Sequence, residues 1–138
     1  MNTPPSSPSV DKPLPGDGAS EPLFVIAFGA SAGGLDALEK LVADLPPDTG
    51  AAFVVIQHLS PDHKSMMASL LARHTSMPVQ MVEADTLIEP NHLYLISPGV
   101  LMHTDGRLLR LRPKSPRSLI LPIDVFFQSL ATHHGRHA

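Results

Sequence analysis

The feature that most constrains the fold of this chain is an apolar run that ends in a glycine-rich turn. The run extends from Phe24 to Phe28, and the turn reads Gly-Ala-Ser-Ala-Gly-Gly over residues 29–34. A helical pattern of leucines begins directly after it. Glycine and alanine suit a sharp turn because larger side chains would collide with the neighbouring backbone. The pattern predicts a strand, a tight turn and a helix, with Ser31 at the centre of a G-x-S-x-G motif.

Three interpretations of this turn are open. In the first, Ser31 is an exposed nucleophile, and the backbone N–H groups of Ala32 and Gly33 stabilise a developing oxyanion. In the second, the turn holds a phosphate as in dinucleotide-binding folds, although the G-x-G-x-x-G pattern is broken because Ser31 stands where the second glycine should be. In the third, the turn is purely structural and its serine is inert.

A second apolar run gives the serine a candidate partner. Residues 51–56 form a continuous apolar segment, typical of a strand buried on both faces of a parallel sheet, and Gln57-His58 follows it. The intervening helix ends at Pro46-Pro47, and its apolar positions are Leu35, Leu38, Leu41, Val42 and Leu45. A strand–helix–strand unit crosses over with one hand, so its strands should be parallel neighbours. Ser31 and His58 would then stand at adjacent strand ends, roughly 5 Å apart, within reach of a hydrogen bond.

A second helix is predicted after His58. Ser60 can cap its first turn, and Pro61 suits its first position because that residue needs no backbone N–H. Its apolar stripe consists of Met67, Leu70 and Leu71. Pro78 breaks this helical pattern.

Strands, a hairpin and a last helix are predicted over the rest of the chain. Residues 79–83 alternate like a strand, and residues 93–96 form another apolar strand. Residues 100–112 are typical of a hairpin that turns at Asp105-Gly106. A last helix begins at Pro122, and its predicted apolar face consists of Ile123, Phe126, Phe127 and Leu130.

Composition limits the class of protein. The chain has 138 residues, of which 43% are hydrophobic, enough for one modest domain with a core. Residues 1–21 are rich in proline, serine and glycine and predict a disordered leader before a domain at 22–138. The net charge of −3 argues against a nucleic-acid-binding protein. The basic residues between Arg107 and Arg117 predict a solvated side of the hairpin, which an acidic partner surface could use.

The chain has no cysteine, which excludes disulfides and thiolate chemistry and fits a reducing compartment. No apolar stretch is long enough to cross a membrane and no signal peptide is visible, so we expect a cytoplasmic protein without membrane insertion. The histidines near the end have no carboxylate or cysteine ligands close in sequence, so we do not expect a metal site; they are His133, His134 and His137. A parallel sheet requires a strand after the last helix, so the domain is expected to be incomplete at its C-terminus.

Four segments occur in an order that carries more information than any single motif. They are residues 29–34 (Gly-Ala-Ser-Ala-Gly-Gly), 57–61 (Gln-His-Leu-Ser-Pro), 89–99 (Glu-Pro-Asn-His-Leu-Tyr-Leu-Ile-Ser-Pro-Gly) and 122–127 (Pro-Ile-Asp-Val-Phe-Phe). Over about residues 24–135 the chain thereby resembles the catalytic domain of the CheB-type chemotaxis receptor methylesterases. The resemblance implies a doubly wound α/β fold, Rossmann-like, with a mostly parallel sheet between two helical layers.

The resemblance also implies an activity. Members of this family remove methyl esters from glutamate side chains of chemoreceptors and release methanol, and many also deamidate glutamine. Their catalytic set is Ser, His and Asp, which carries the nucleophile onto Ser31 and the base onto His58. The implied partners are the cytoplasmic domains of methylated chemoreceptors. The implied chemistry needs no cofactor.

Three features depart from the family pattern. The family's aspartate lies in a glycine-rich turn after a later strand, and none of the aspartates considered has that context: Asp36, Asp62, Asp85, Asp105 and Asp124. The residue after the nucleophile is commonly threonine and is Ala32 here. The receiver domain that usually precedes the catalytic domain is absent, and the arrangement resembles fusions in which a methylesterase domain opens a chain that continues into a receptor methyltransferase.

These departures leave two hypotheses. The chain is the front of a protein-glutamate methylesterase, and the 138-residue piece itself has little or no activity because its triad acid is missing. Alternatively, it is a catalytically incomplete domain that binds receptors or another partner, including a separate methyltransferase. A nucleotide-binding domain is disfavoured by the broken glycine pattern and by Gln57-His58 at the second strand end.

Overall fold

The computed structural model describes residues 22–30, 32–57, 66–115, 117 and 119–138. The predicted leader at 1–21 and the helix start predicted at Ser60 and Pro61 lie outside these residues. The strands are β1 (Val25–Ala30), β2 (Ala52–Gln57), β3 (Val79–Val82), β4 (Thr86–Leu87), β5 (Leu93–Ile96), β6 (Val100–Asp105) and β7 (Leu108–Pro113). The α-helices are α1 (Leu35–Asp44), α2 (Met67–Ala72) and α3 (Pro122–His134), with single 3₁₀ turns at Ala32–Gly34 and Gly135–His137.

The described strands β1, β2, β5 and β3 form a parallel sheet in that order. β1 and β2 are adjacent and parallel along their whole length, as the crossover argument predicts. The predicted strands at 79–83 and 93–96 are confirmed as β3 and β5. Because β1 and β2 are joined through α1, and β2 and β3 through a segment containing α2, the sheet has the connectivity of an α/β fold.

The sheet is buried on both faces because its central strands alternate between two cores. Phe53 and Val55 of β2 face α1 and α2, where they pack with Leu38, Val42, Met67 and Leu71. Val54 and Ile56 of β2 face the opposite way, where they pack with Met102, Leu109, Phe126 and Leu130. Helices therefore cover one face, and α3 with the hairpin covers the other. The predicted doubly wound α/β architecture is confirmed.

The predicted hairpin is confirmed, with a different turn. β6 and β7 pair antiparallel with Asp105 opposite Leu108, so the two-residue loop is Gly106-Arg107 rather than Asp105-Gly106. Gly106 has a φ of 60°, a left-handed conformation that glycine adopts without strain. β7 also pairs with β4, a two-residue strand too short to leave an alternating pattern in the sequence.

The helix α3 closes the second layer. Pro122 occupies its first turn, and Phe126 and Leu130 are buried as predicted. Phe127 was placed on the apolar face by the sequence pattern, but its side chain is 41% exposed, because it lies about 100° around the helix from Phe126. The Ser129 hydroxyl accepts a hydrogen bond from the backbone N–H of Thr104, so α3 covers the free edge of β6.

The start of α3 lies against the end of β1 through one close approach. A Cβ atom at Gly29 would be 2.7 Å from Ile123 Cγ2, which is shorter than any ordinary carbon–carbon contact. Ile123 is β-branched and therefore has little rotational freedom with which to move away. The missing side chain at Gly29 thus allows α3 to approach the strand that leads into the serine turn.

We predict that Gly29→Ala lowers the free energy of unfolding by roughly 1–3 kcal/mol, because the new methyl group overpacks against Ile123. Urea denaturation measures the change. Ile123→Ala in the same protein should recover part of the loss, so the double variant should be more stable than the sum of the single changes predicts. Gly33→Ala is the control, since a Cβ atom there would meet no atom of the described residues within 4 Å. Equal losses from the two alanine substitutions would contradict the contact.

His134 joins the end of α3 to the hairpin loop. Its Nε2 atom donates a hydrogen bond to the carbonyl oxygen of Gly106 at 2.9 Å. Burial lowers the pKa of His134 because the charged imidazolium loses water, and the carbonyl of Gly106 only partly opposes this effect. The folded protein therefore binds a proton at His134 less readily than the unfolded chain does.

We predict that the stability contributed by neutral His134 is present above about pH 6.5, the ordinary histidine pKa, and is lost as the pH falls below it. His134→Gln should therefore make the acid side of the stability–pH profile shallower. The measurement is the free energy of unfolding between pH 4.5 and pH 9. Above pH 8 the difference between the two proteins should stop changing with pH. An unchanged acid slope in the variant would contradict the assignment.

Candidate active site

The two predicted catalytic residues follow paired residues at the carboxyl edge of the parallel sheet. Ala30 ends β1, Gln57 ends β2, and the two are register partners. Ser31 and His58, which come next along each strand, lie outside the described residues. In open α/β sheets ligands bind beyond the carboxyl ends of the strands. The described strand ends therefore form the frame of a candidate site.

The turn between β1 and α1 is built from small residues because its parts lie close together. A Cβ atom at Gly34 would be 3.0 Å from the Cβ atom of Ala30, whereas one at Gly33 would meet no atom within 4 Å in the described part of the chain. The predicted oxyanion residues Ala32 and Gly33 both belong to the 3₁₀ turn Ala32–Gly34. Gly34 precedes α1 and has no side chain with which to cap it. The first N–H groups of this helix lack intrahelical partners, as at every helix start.

A third strand end borders the frame on the other side of β2. Val55 of β2 pairs with Leu95 of β5, so Ser97 stands beyond the end of β5 at the level where β2 ends. The Ser97 hydroxyl donates a hydrogen bond to the carbonyl oxygen of Val82, the last residue of β3, at 2.7 Å. This bond fixes the ends of β5 and β3 together. The bond could not be predicted from the sequence, because it joins residues 15 positions apart at the ends of two strands whose adjacency depends on strand order.

Four of the aspartates that were considered as triad acids lie among the described residues, and each is an ion-pair partner, a hydrogen-bond acceptor or a first-turn residue of a helix. Asp105 forms an ion pair with Arg110 at 3.3 Å, and Asp85 accepts a long hydrogen bond from the Leu111 N–H at 3.5 Å. Asp36 and Asp124 are exposed in the first turns of α1 and α3, where a negative charge suits the helix dipole. Asp62 lies outside the described residues. No residue of this chain is therefore assigned as the catalytic acid.

The described groups with shifted pKa values lie away from the carboxyl edge. Burial raises the pKa of Tyr94, whose hydroxyl accepts a hydrogen bond from the Glu89 N–H and faces the carbonyl of Leu87. Tyr94 is the second residue of β5, and Leu87 and Glu89 precede this strand, so the group lies at the amino edge of the sheet. His134, whose pKa burial lowers, contacts Gly106 at the hairpin loop. Within the described part of the chain, no three histidine, aspartate or glutamate side chains are grouped so as to hold a metal ion.

The sequence and the fold are similar to those of known methylesterases. Residues 26–138 match the CheB methylesterase family. The chain is 34% identical over 137 residues to protein-glutamate methylesterase/protein-glutamine glutaminase 2 of Burkholderia pseudomallei, an alignment that covers 93% of this chain and 37% of that relative. It is 35% identical over 119 residues to a protein of the same name from Cupriavidus metallidurans, covering 79% of this chain and 33% of the relative.

Two further comparisons extend this likeness. A 72-residue segment is 51% identical to an uncharacterized 104.1 kDa protein of Rhodobacter capsulatus and covers 52% of this chain and 8% of that protein. The fold matches the CheB methylesterase catalytic domain of Thermotoga maritima with a TM-score of 0.72 at 20% identity, over 81% of this chain and 62% of that domain. The chain spans well under half the length of the two protein-glutamate methylesterases named above. The chain belongs to the CheB methylesterase family.

Proposed function

We propose that the protein carrying this sequence is a protein-glutamate methylesterase of chemotaxis, with Ser31 as nucleophile and His58 as general base. The observation that supports it most directly is the register of β1 and β2, which pairs Ala30 with Gln57 immediately before the two residues. Adjacent parallel strands are about 4.8 Å apart, so residues that follow a register pair are within reach of a Ser–His hydrogen bond. The substrate class follows from family membership, since the relatives named above are protein-glutamate methylesterases.

The chemistry proceeds in two acyl-transfer steps. Ser31 Oγ attacks the ester carbonyl carbon while His58 accepts the hydroxyl proton. The negative charge that develops on the carbonyl oxygen is stabilised by the backbone N–H groups of Ala32 and Gly33. The bond to the methoxy oxygen then breaks, and His58 donates its proton so that methanol leaves. Water attacks the acyl-enzyme with His58 again as base, which regenerates Ser31 and leaves a glutamate carboxylate.

The same residues could also catalyse hydrolysis of a glutamine side-chain amide, from which ammonia is the leaving group. The matched relatives are also named protein-glutamine glutaminases. Replacing the methoxy group by an amide nitrogen changes only what His58 protonates, and ammonia leaves instead of methanol. We include glutamine deamidation in the proposal for that reason.

The proposed partners follow from the reaction. The ester must be formed by a methyltransferase that modifies receptor glutamates, so such an enzyme, fused or separate, is the counterpart of this one. The substrate is the cytoplasmic domain of a methylated chemoreceptor, and we place the reaction in the cytoplasm. Among the described helices, none has the length and apolar character needed to cross a membrane.

We predict that Ser31→Ala lowers methanol release from methylated receptor fragments by at least about 10³-fold, because the nucleophile is lost. The assay uses the whole gene product that carries this sequence, and circular dichroism checks that the variant is folded. Ser69→Ala is the matched control, since it removes an exposed hydroxyl on α2 and should leave the rate within about twofold. Equal rates for the Ser31 variant and the unaltered protein would overturn the assignment and favour a binding role.

We further predict that His58→Gln lowers kcat by a similar factor, because the amide side chain cannot accept the serine proton. Combined with Ser31→Ala, it should cause little additional loss, since the two residues act as one unit. His74→Gln, two residues after α2, is the control, as His74 is exposed and contacts Glu39 at 3.9 Å. Additive losses in the double variant would argue that His58 does not activate Ser31.

A further inference from the structure

The basic residues of the chain are concentrated in one short segment. Residues 107–117 hold five of its ten lysines and arginines and none of its thirteen aspartates and glutamates. The remaining sequence is correspondingly acidic. The segment contains β7 and the start of the connection to α3. A local positive strip on an acidic protein creates a field that attracts acidic groups to that place alone.

The pleat of β7 directs these side chains away from the core. Leu109 is fully buried and Leu111 packs against the same core. Arg110 and Arg112 alternate with them and are exposed. Along its second half β7 therefore has apolar side chains on its inner face and arginines on its outer face, where Arg112 lies opposite Leu101 and Arg110 opposite His103 of β6.

The strip reaches the carboxyl edge of the parallel sheet. Three residues, 97–99, separate β5 from β6, and the first residue of β6, Val100, pairs with Pro113 at the end of β7. The backbone N–H of Lys114 donates to the carbonyl oxygen of Gly99, in the turn that directly follows β5. β5 is the neighbour of β2, whose end leads into His58. Arg112 and Lys114 thus lie on the side of the hairpin next to the candidate active site.

Within the described part of the chain, the two cations of the strip nearest this edge have no ion-pair partner, and the same is true of Arg107 at the hairpin loop. Arg110, farther from the edge, is neutralised by Asp105 at 3.3 Å. Among the described residues, no carboxylate lies within ion-pair distance of Arg112 or Lys114. A cation on a β-strand without a partner gives little stability to the fold.

Exposed apolar side chains continue the same strip. Leu119 is 95% exposed and Leu121 is 54% exposed. Both lie between Lys114 and α3 in the sequence. Ile123, the second residue of α3, lies close to Gly29 at the end of β1, just before the serine turn. Large apolar side chains grouped on the surface beside a polar rim mark interaction sites.

We propose that Arg112 and Lys114 are specificity-determining residues that bind carboxylates on the substrate segment, with Leu119 and Leu121 in contact with its apolar side chains. The occupant is an acidic, amphipathic stretch of polypeptide that carries further glutamates beside the ester. This inference rests on the proposed function, whose product is itself a glutamate carboxylate. A polypeptide fits better than a nucleic acid, because a long polyanion would also meet the acidic remainder of the chain.

The test separates binding from hydrolysis. The first probe is a receptor-derived peptide with several free glutamates and no ester, and the second is the same peptide with those glutamates replaced by glutamine. Fluorescence anisotropy with the whole gene product measures Kd for each. Arg112→Glu with Lys114→Glu should weaken binding of the acidic peptide roughly tenfold at low salt, since two attractions become repulsions, and about 0.5 M salt should abolish the difference. Binding of the glutamine peptide should change little.

Two variants serve as controls. Lys40→Glu with Arg73→Glu makes the same change in net charge at exposed positions of α1 and of the residue after α2. It should leave the affinity for the acidic peptide within about twofold. Arg112→Gln with Lys114→Gln is a milder change, to be used if the variant with two glutamates proves poorly folded. It should also weaken binding of the acidic peptide. Equal weakening by the control pair, or no weakening by either strip variant, would overturn the proposal.

Hydrolysis supplies an independent readout. With methylated versions of both peptides, the strip variants should raise KM for the acidic one and leave kcat unchanged. If the unaltered protein releases no methanol from either peptide, the proposed function fails, while the anisotropy result still decides whether the strip binds acidic polypeptide. Tighter binding of a single-stranded oligonucleotide than of the acidic peptide would also overturn the inference.

Discussion

The structure depends on the burial of β2 on both faces. Every residue of this strand is buried, and alternate side chains enter two separate cores. Transfer of so much apolar surface from water is the main favourable term in folding a domain of this size. Because β2 must have a partner strand on each side and a layer on each face, the positions of β1, β5, α1 and α3 follow from it. The carboxyl edge with its candidate site is one end of that arrangement.

The two edges of the parallel sheet have different characters. At the amino edge, polar groups are satisfied internally: the Tyr94 hydroxyl contacts the Glu89 N–H, and Asn91, in a left-handed conformation, accepts from the Gly50 N–H at 2.7 Å. At the carboxyl edge the backbone is lined by glycine and alanine, and Gly29 and Gly33 are exposed. The amino edge is closed by its own hydrogen bonds, whereas the described residues on either side of Ser31 at the carboxyl edge are small.

The parallel sheet and its layers could be predicted because their signals are local. The uninterrupted apolar run of β2 and the helix before it specify a crossover unit without knowledge of distant residues. The contact of Ile123 with Gly29 and the bond from Ser97 to Val82 could not be predicted, since each joins elements whose adjacency depends on strand order. Phe127 was wrongly assigned to the buried face of α3, because the spacing of apolar residues indicates which side of a helix is buried but not how wide the buried face is. Ser31 and His58 stay predictions that rest on the register of the strands before them.

The close approach of Ile123 to Gly29 has a consequence for how this protein acquires its form during synthesis. The glycine-rich turn leaves the ribosome early, whereas the residue that fixes the strand leading into it is translated near the far end of the 138-residue sequence. A contact so distant along the chain forms late, because a large loop must close first. Nascent chains that stop short of α3 would therefore have β1 and β2 available for pairing while Gly29 still lacked its contact with Ile123.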